Sequence, residues 1–251
     1  MKFSLVQDSR KGGRPYNQDR VAHCRVADSL LMVLADGLGG YAGGELAAQT
    51  AVDSVADLFR AQAKPCLPDP MSFLALAIGS AHETVLQKGR QAGLGDLPRS
   101  TLVACVVQGG CAFWSHIGDS RLYVIRAGRV LARTKDHSVV QQLIDAGRMR
   151  EEAIGAHPDR NQLLQSLGGA TQPKPSPVAR AQLARHDIVL ICSDGLWGPL
   201  TPQRLLAGFI GKDPARALPD LMAVAEERAG ADCDNVSALA LHWDTPATYN
   251  Q

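Results

Sequence analysis

No apolar run among the 251 residues approaches the roughly 18–20 residues that a transmembrane helix needs. The N-terminus, MKFSLVQDSRKGG, has neither the continuous apolar stretch nor the small-residue cleavage site of a secretory leader. A soluble cytoplasmic protein without a membrane partner is therefore expected. An excess of one charge is lacking too: 26 Lys and Arg stand against 25 Asp and Glu, leaving +1. Nothing in that balance points to nucleic acid or to a polybasic membrane contact. The six cysteines, at 24, 66, 105, 111, 192 and 233, form no C-x-x-C pair, so reduced thiols without a metal or disulfide role are expected. There is no H-E-x-x-H for a zinc site and no G-x-S-x-G elbow for a serine nucleophile, although Ser120 and Ser193 both neighbour aspartates.

What is present begins with LADGLGGYAGGELAA, residues 34–48, where glycines crowd around Asp36. Such a stretch either cradles a phosphate or presents the aspartate. The nucleotide reading fails on spacing. Gly37, Gly39, Gly40 and Gly43 do not make G-x-G-x-x-G, and no G-K-[ST] ends the loop.

Apolar and β-branched runs predict strands at 29–36, 100–107, 111–119, 120–134, 187–194 and 235–243. Gln108-Gly109-Gly110 and Ala127-Gly128 read as hairpin turns. Helical spacing appears over 44–60, 71–92, 137–147, 201–211 and 213–230. Thr201-Pro202 and Asp213-Pro214 open the last two as cap and first turn, and Pro219 is expected to interrupt or restart the final one. Runs of strands followed by runs of helices favour an α+β layered domain.

Asp36, Asp119 and Asp194 each close an apolar run beside a glycine, and Asp234 opens the last strand. One such aspartate alone reads as a turn former. Four at strand ends would repel one another if gathered, and hard divalent cations with oxygen ligands, Mg²⁺ or Mn²⁺, would relieve that. The pattern suits a two-metal hydrolase.

The segments RPYNQD (14–19), ADGLGGYAGGE (35–45), STL (100–102), GDSRLY (118–123), TKDHS (134–138), SLGG (166–169), CSDGLWG (192–198) and DNVSAL (234–239) occur in this order. Together they resemble the bacterial branch of the metal-dependent type 2C serine/threonine protein phosphatases, from about residue 10 to residue 243. The resemblance implies a four-layer α-β-β-α sandwich with two central antiparallel sheets. It also implies one catalytic domain over 1–243, with a flap at about 138–162, while the last residues, 244–251, are expected to be a frayed tail. Asp36 would bridge two Mn²⁺ or Mg²⁺ ions, the Gly37 carbonyl would complete one, and Asp194 and Asp234 would hold the other. Asp119, with Asp194, would offer a third position.

A bridging hydroxide would attack phosphorus in line, without a phosphoenzyme. Arg14 would bind the phosphate through its planar fork, and Asp19 would act one step back from the ions or through water. Gln18 stands where many relatives carry Glu, so it would bring no charge. Leu38 and Tyr41 occupy positions where relatives place histidines, and Tyr41 is a poor acid near neutral pH. His116 and His137 are expected to be structural. Arg148, Arg150 and Arg160 in the flap would meet acidic or phosphorylated segments, or be a solvated surface. The implied substrates are phosphorylated proteins, targets of a serine/threonine kinase, and a monomer is expected. The alternatives are a pseudophosphatase acting as a binding module and a hydrolase of small phosphate esters.

Overall fold

The computed structural model describes residues 1–95 and 97–245. The chain runs β1 (Phe3–Arg10), β2 (Asp19–Val26), β3 (Ser29–Asp36), α1 (Gly44–Gln62), α2 (Pro70–Gln91), β4 (Arg99–Ser100), β5 (Leu102–Gln108), β6 (Cys111–Ile117), β7 (Arg121–Arg126) and β8 (Arg129–Arg133). It continues with α3 (Val139–Asp145), a 3₁₀ turn (Glu151–Ala156), β9 (Leu167–Gly168), β10 (Ala179–Gln182), β11 (Ile188–Cys192), α4 (Asp194–Trp197), α5 (Pro202–Phe209), α6 (Pro214–Ala229) and β12 (Val236–Trp243).

Two antiparallel five-stranded sheets, ordered β1-β12-β11-β7-β8 and β10-β6-β5-β3-β2, lie at the centre. Strand β3 reads SLLMVLAD, apolar on both faces, because both faces are covered. Leu31 and Val33 point to α1 and α2, packing with Val55, Phe59, Leu74 and Ile78. Leu30, Met32 and Leu34 point to the other sheet, meeting Leu122, Val189, Ile191 and Leu239. The far face of that second sheet packs Leu190 and Ala240 against Leu205, Leu218 and Met222 of α5 and α6. The result is the α-β-β-α order implied by the resemblance. Truncating one of the enclosed side chains, such as Leu34→Ala, would cost about 2–5 kcal/mol.

The caps follow the local sequence. Asp69 accepts from the Met71 N–H at 2.9 Å, Thr201 from Arg204 at 3.2 Å and Asp213 from Ala215 at 3.0 Å, each satisfying an amide that the helix leaves without a partner.

Several expectations need correction. Strands β1 and β2 were not foreseen, because nearly all their residues are only half-buried or exposed and the apolar alternation is broken by polar residues. The strand expected over 100–107 breaks at Thr101, whose N–H donates to the Asp36 carbonyl at 2.8 Å. The run expected over 187–194 ends at Cys192, since Asp194 begins α4. Helix α6 passes through Pro219 without a break. Asp244 and Thr245, expected to fray, are held by Lys2: its carbonyl accepts from the Asp244 N–H at 3.0 Å and from Thr245 Oγ1 at 3.0 Å. The rest of the expected tail, 246–251, lies outside the described residues. Among the described residues no helix is long and apolar enough to cross a membrane. Cys105 and Cys192 are buried free thiols.

Candidate metal centre and phosphate site

The strand ends bring the foreseen aspartates to one rim. Asp36 closes β3 and lies opposite Asp19, the first residue of β2, in the antiparallel register. Three hydrogen bonds fix the Asp36 backbone. Its N–H donates to Thr101 Oγ1 at 3.0 Å. Its carbonyl accepts from Ser100 Oγ at 2.9 Å and from the Thr101 N–H at 2.8 Å. Thr101 Oγ1 in turn bonds Ser120 Oγ at 2.8 Å, all within the buried interior. A Cβ on Gly37 would fall 2.2 Å from the Gly44 carbonyl oxygen. The glycines therefore let the loop fold back on itself directly after Asp36. Gln18 fills the inside of that fold: Cβ atoms on Gly39 and Gly44 would lie 3.0 and 2.7 Å from its amide atoms.

Asp119 follows Gly118, whose φ of +96° and close approach to Thr101 (2.6 Å from a Cβ placed there) exclude a side chain. The Asp119 carbonyl accepts from Trp197 Nε1 at 3.0 Å. Arg121 lies 3.5 Å over the Trp197 ring and grips Asp136 with two hydrogen bonds of 2.8 and 2.7 Å. His137 Nδ1 accepts from the Gly118 N–H at 3.3 Å and its ring stacks on His116 at 4.7 Å. These imidazoles support the turn, as expected. Burial pushes the His137 ring down to about 4, so it stays neutral at physiological pH.

Asp194 sits at the first position of α4, directly after Ser193. The Ser193 hydroxyl donates to Asp19 Oδ2 at 2.8 Å, which excludes it, as its buried position does, from a nucleophile's role. Asp19 Oδ1 is buried with no partner among the described residues. Asp234 is more open. Its Oδ2 accepts from Arg14 Nη2 at 2.7 Å, with the two side chains 36% and 50% exposed.

Sequence reasoning missed Asn235. Its Oδ1 accepts from the Gln18 N–H at 2.7 Å, and its Nδ2 donates to the Lys11 and Tyr16 carbonyls at 2.8 and 3.0 Å. One amide thus staples the Arg14 loop to the start of β12. Thr101 was missed as well. Both lie inside recognised segments, DNVSAL and STL, and that was the available signal.

The electrostatics are those of packed like charges. Burial first, then Asp19, Asp194, Asp119 and Asp234, hold the Asp36 carboxyl well above the usual carboxylate range. Burial and then Asp194 do the same for Asp119. Burial raises Asp19 to about 7, and burial with Asp234 raises Asp194 to about 6. Arg14 is a cation facing this set, and its hydrogen bond to Asp234 raises its own pKa.

Crowded carboxylates, an orphaned oxygen on Asp19 and a donor set made only of oxygen fit a hard divalent cation. Among the described residues, however, no three acidic, histidine or cysteine side chains are drawn together as one ion's ligand set. Asp234 is turned to Arg14 instead. In the segment 138–162, Glu151 is paired with Arg133, while no ion pair forms at Arg148, Arg150 or Arg160 among the described residues.

The protein phosphatase 2C family profile matches residues 7–216, and the chain belongs to that family. The serine/threonine protein phosphatase PstP of Mycobacterium tuberculosis is 31% identical over 219 residues, which cover 87% of this chain and 41% of PstP. The chain thus spans less than half the length of that relative. A putative protein phosphatase 2C-type of Streptococcus pyogenes is 30% identical over 96% of this chain and 97% of its own length. The solved structure of the M. tuberculosis phosphatase PstP superposes with a TM-score of 0.84 at 28% identity, covering 97% of this chain and 99% of that one. The PstP catalytic domain in complex with two manganese ions superposes at 0.81 with 27% identity and the same coverage.

Proposed function

We propose that this chain hydrolyses phosphoserine and phosphothreonine in proteins, as a single catalytic domain over 1–243 acting as a monomer on the products of a serine/threonine kinase. The observation that carries this is the meeting of Asp36, Asp119, Asp194 and Asp234 at one rim, with Arg14 beside them. Mn²⁺ or Mg²⁺ would be held by Asp36, the Gly37 carbonyl, Asp194 and Asp234, with Asp119 and Asp194 offering a further position. When bound, such ions supply Lewis acidity and an activated water for attack at phosphorus.

The chain's own residues do the rest. Arg14 transfers its fork from Asp234 to the phosphate oxygens, a bidentate geometry that its guanidinium suits. Asn235 keeps the Arg14 loop in reach while that exchange occurs. Asp19 and Ser193 hold the floor between Asp36 and Asp194. Leu38 cannot donate a proton to the leaving Ser or Thr oxygen. The segment 138–162 acts as the flap beside the cleft. A binding module without turnover is the second reading, favoured by the uncharged amide of Gln18 and by Leu38.

Phosphate release from a phosphothreonine peptide and from a small aryl phosphate, each with Mn²⁺ and with chelator, separates the readings. Mn²⁺-dependent release from the peptide is expected. No release from either compound in millimolar Mn²⁺ would establish the binding module, and release from the aryl phosphate alone would establish a small-ester hydrolase.

A further inference from the structure

Beside the glycine loop runs an open groove of about 550 Å³ that no residue of the candidate metal set lines. It adjoins the centre through two shared residues. Gln18, on its wall, has its peptide N–H held by Asn235 and its carbonyl accepting from the Gly37 N–H at 3.3 Å. Gly44, also in its lining, has its carbonyl packed against Gly37. The groove thus borders both the loop that carries Arg14 and the loop that follows Asp36.

Its chemistry is specific. Tyr16 and Tyr41 line it and stand 58% and 40% exposed, large rings that a folded interior would ordinarily cover. Tyr41 is not loose, since the Arg99 guanidinium backs its ring at 4.4 Å. Beside the rings, Ala42, Glu45, Leu46 and Gln49 contribute side chains to the lining. The cation in the groove, Arg20, is already spent. It is paired with Glu45 and donates to Gln49 at 2.8 Å and to the Asn17 and Asp19 carbonyls at 2.9 and 2.8 Å. Four of its five N–H groups are thereby engaged. Unlike the Arg14 rim, the groove offers aromatic faces and no uncommitted charge.

We infer that this groove seats the residues next to the phosphoserine or phosphothreonine of a protein substrate in extended form, and that it selects proline or another uncharged apolar residue there. The inference rests on the phosphatase reading above. A groove lined by exposed aromatic rings is the surface on which proline-rich segments dock. A charged neighbour would lose water in the groove without gaining a partner.

The test uses two labelled phosphothreonine peptides that differ only beside the phosphoresidue, Pro-Leu in one and Glu-Lys in the other, with an aryl phosphate as the groove-independent substrate. Binding is read by fluorescence anisotropy in the Asp194→Ala background, where turnover is removed, and kcat/KM is read with the active enzyme. The Pro-Leu peptide is expected to bind about tenfold tighter, and adding Tyr16→Ala should abolish that difference. In the active enzyme, Tyr16→Ala should lower kcat/KM for the Pro-Leu peptide about tenfold and leave the aryl phosphate unchanged. Equal affinity for the two peptides, or a Tyr16→Ala loss shared equally by peptide and aryl phosphate, would overturn the groove. Absence of phosphate release from every substrate would instead defeat the phosphatase reading, and the anisotropy comparison would still decide the groove.

Discussion

Asp36 and Asp234 face the same cleft and are held in opposite ways. The Asp36 backbone is pinned by Ser100 and Thr101, with Ser120 behind them, in a buried hydroxyl cluster where each donor has an acceptor. Asp234 is held by its own neighbour Asn235, whose N–H reaches Oδ1 at 2.8 Å, and by a half-exposed arginine. The first arrangement costs about 1–3 kcal/mol to disturb, because a buried polar group would be left without a partner. The second is worth about 0–1 kcal/mol, as for other pairs open to solvent. One side of the cleft is therefore prebuilt and the other can exchange partners. That division suits the centre proposed above, which would hold cations in place and still take up and release a phosphate.

The comparison breaks first at Asp36. Asp36→Ala is expected to reduce phosphate release to the level of the chelator control, measured with a phosphothreonine peptide in Mn²⁺. Retained turnover would remove Asp36 from the site.

The next effect is on stability. Asp19 is raised to about 7 by burial, against about 3.9 in an unfolded chain. The folded state then binds the extra proton between those values, so this residue's contribution is full below about 4 and is lost as pH rises through about 7. Asp19→Asn should match the wild type in urea midpoint near pH 4 and exceed it near pH 8, both in chelator. A variant less stable at both pH values would contradict the assignment.

Thr101→Val keeps the shape but leaves the Asp36 N–H and Ser120 unpaired. A loss of roughly 1–3 kcal/mol is expected, with a fall in kcat that Thr101→Ser restores. If Val and Ser behave alike, the hydroxyl brace is not what holds Asp36. The smallest effect on folding belongs to Arg14. Arg14→Ala should shift Tm little, as expected for an exposed pair, while KM for phosphopeptide rises. A large drop in Tm would show that this side is structural after all.

The same contrast explains what was legible in the chain. Strands β3, β5, β11 and β12 are continuous apolar runs because they are covered on both faces, and the aspartates stand out where those runs stop. Strand β1 is half polar and borders its sheet, so Phe3 and Leu5 carry a period-two signal too weak to separate from a loop. Asn235 and Thr101 were invisible as parts of the site for a different reason. Asn235 reaches Gln18 across 217 positions and Thr101 reaches Asp36 across 65, and local pattern carries no trace of such pairings. Pro219 misled because a proline removes one helical hydrogen bond, yet Leu218, Leu221 and Met222 bury α6 well enough to carry it through.

The most direct test of a prebuilt side facing an exchangeable one is a Mn²⁺ titration by calorimetry on wild type, Thr101→Val and Arg14→Ala. Thr101→Val should bind Mn²⁺ more weakly than wild type, because Asp36 loses its fixed position. Arg14→Ala should bind it at least as tightly, because Asp234 is freed from its competitor. Weaker binding by Arg14→Ala, with Thr101→Val unchanged, would contradict the account.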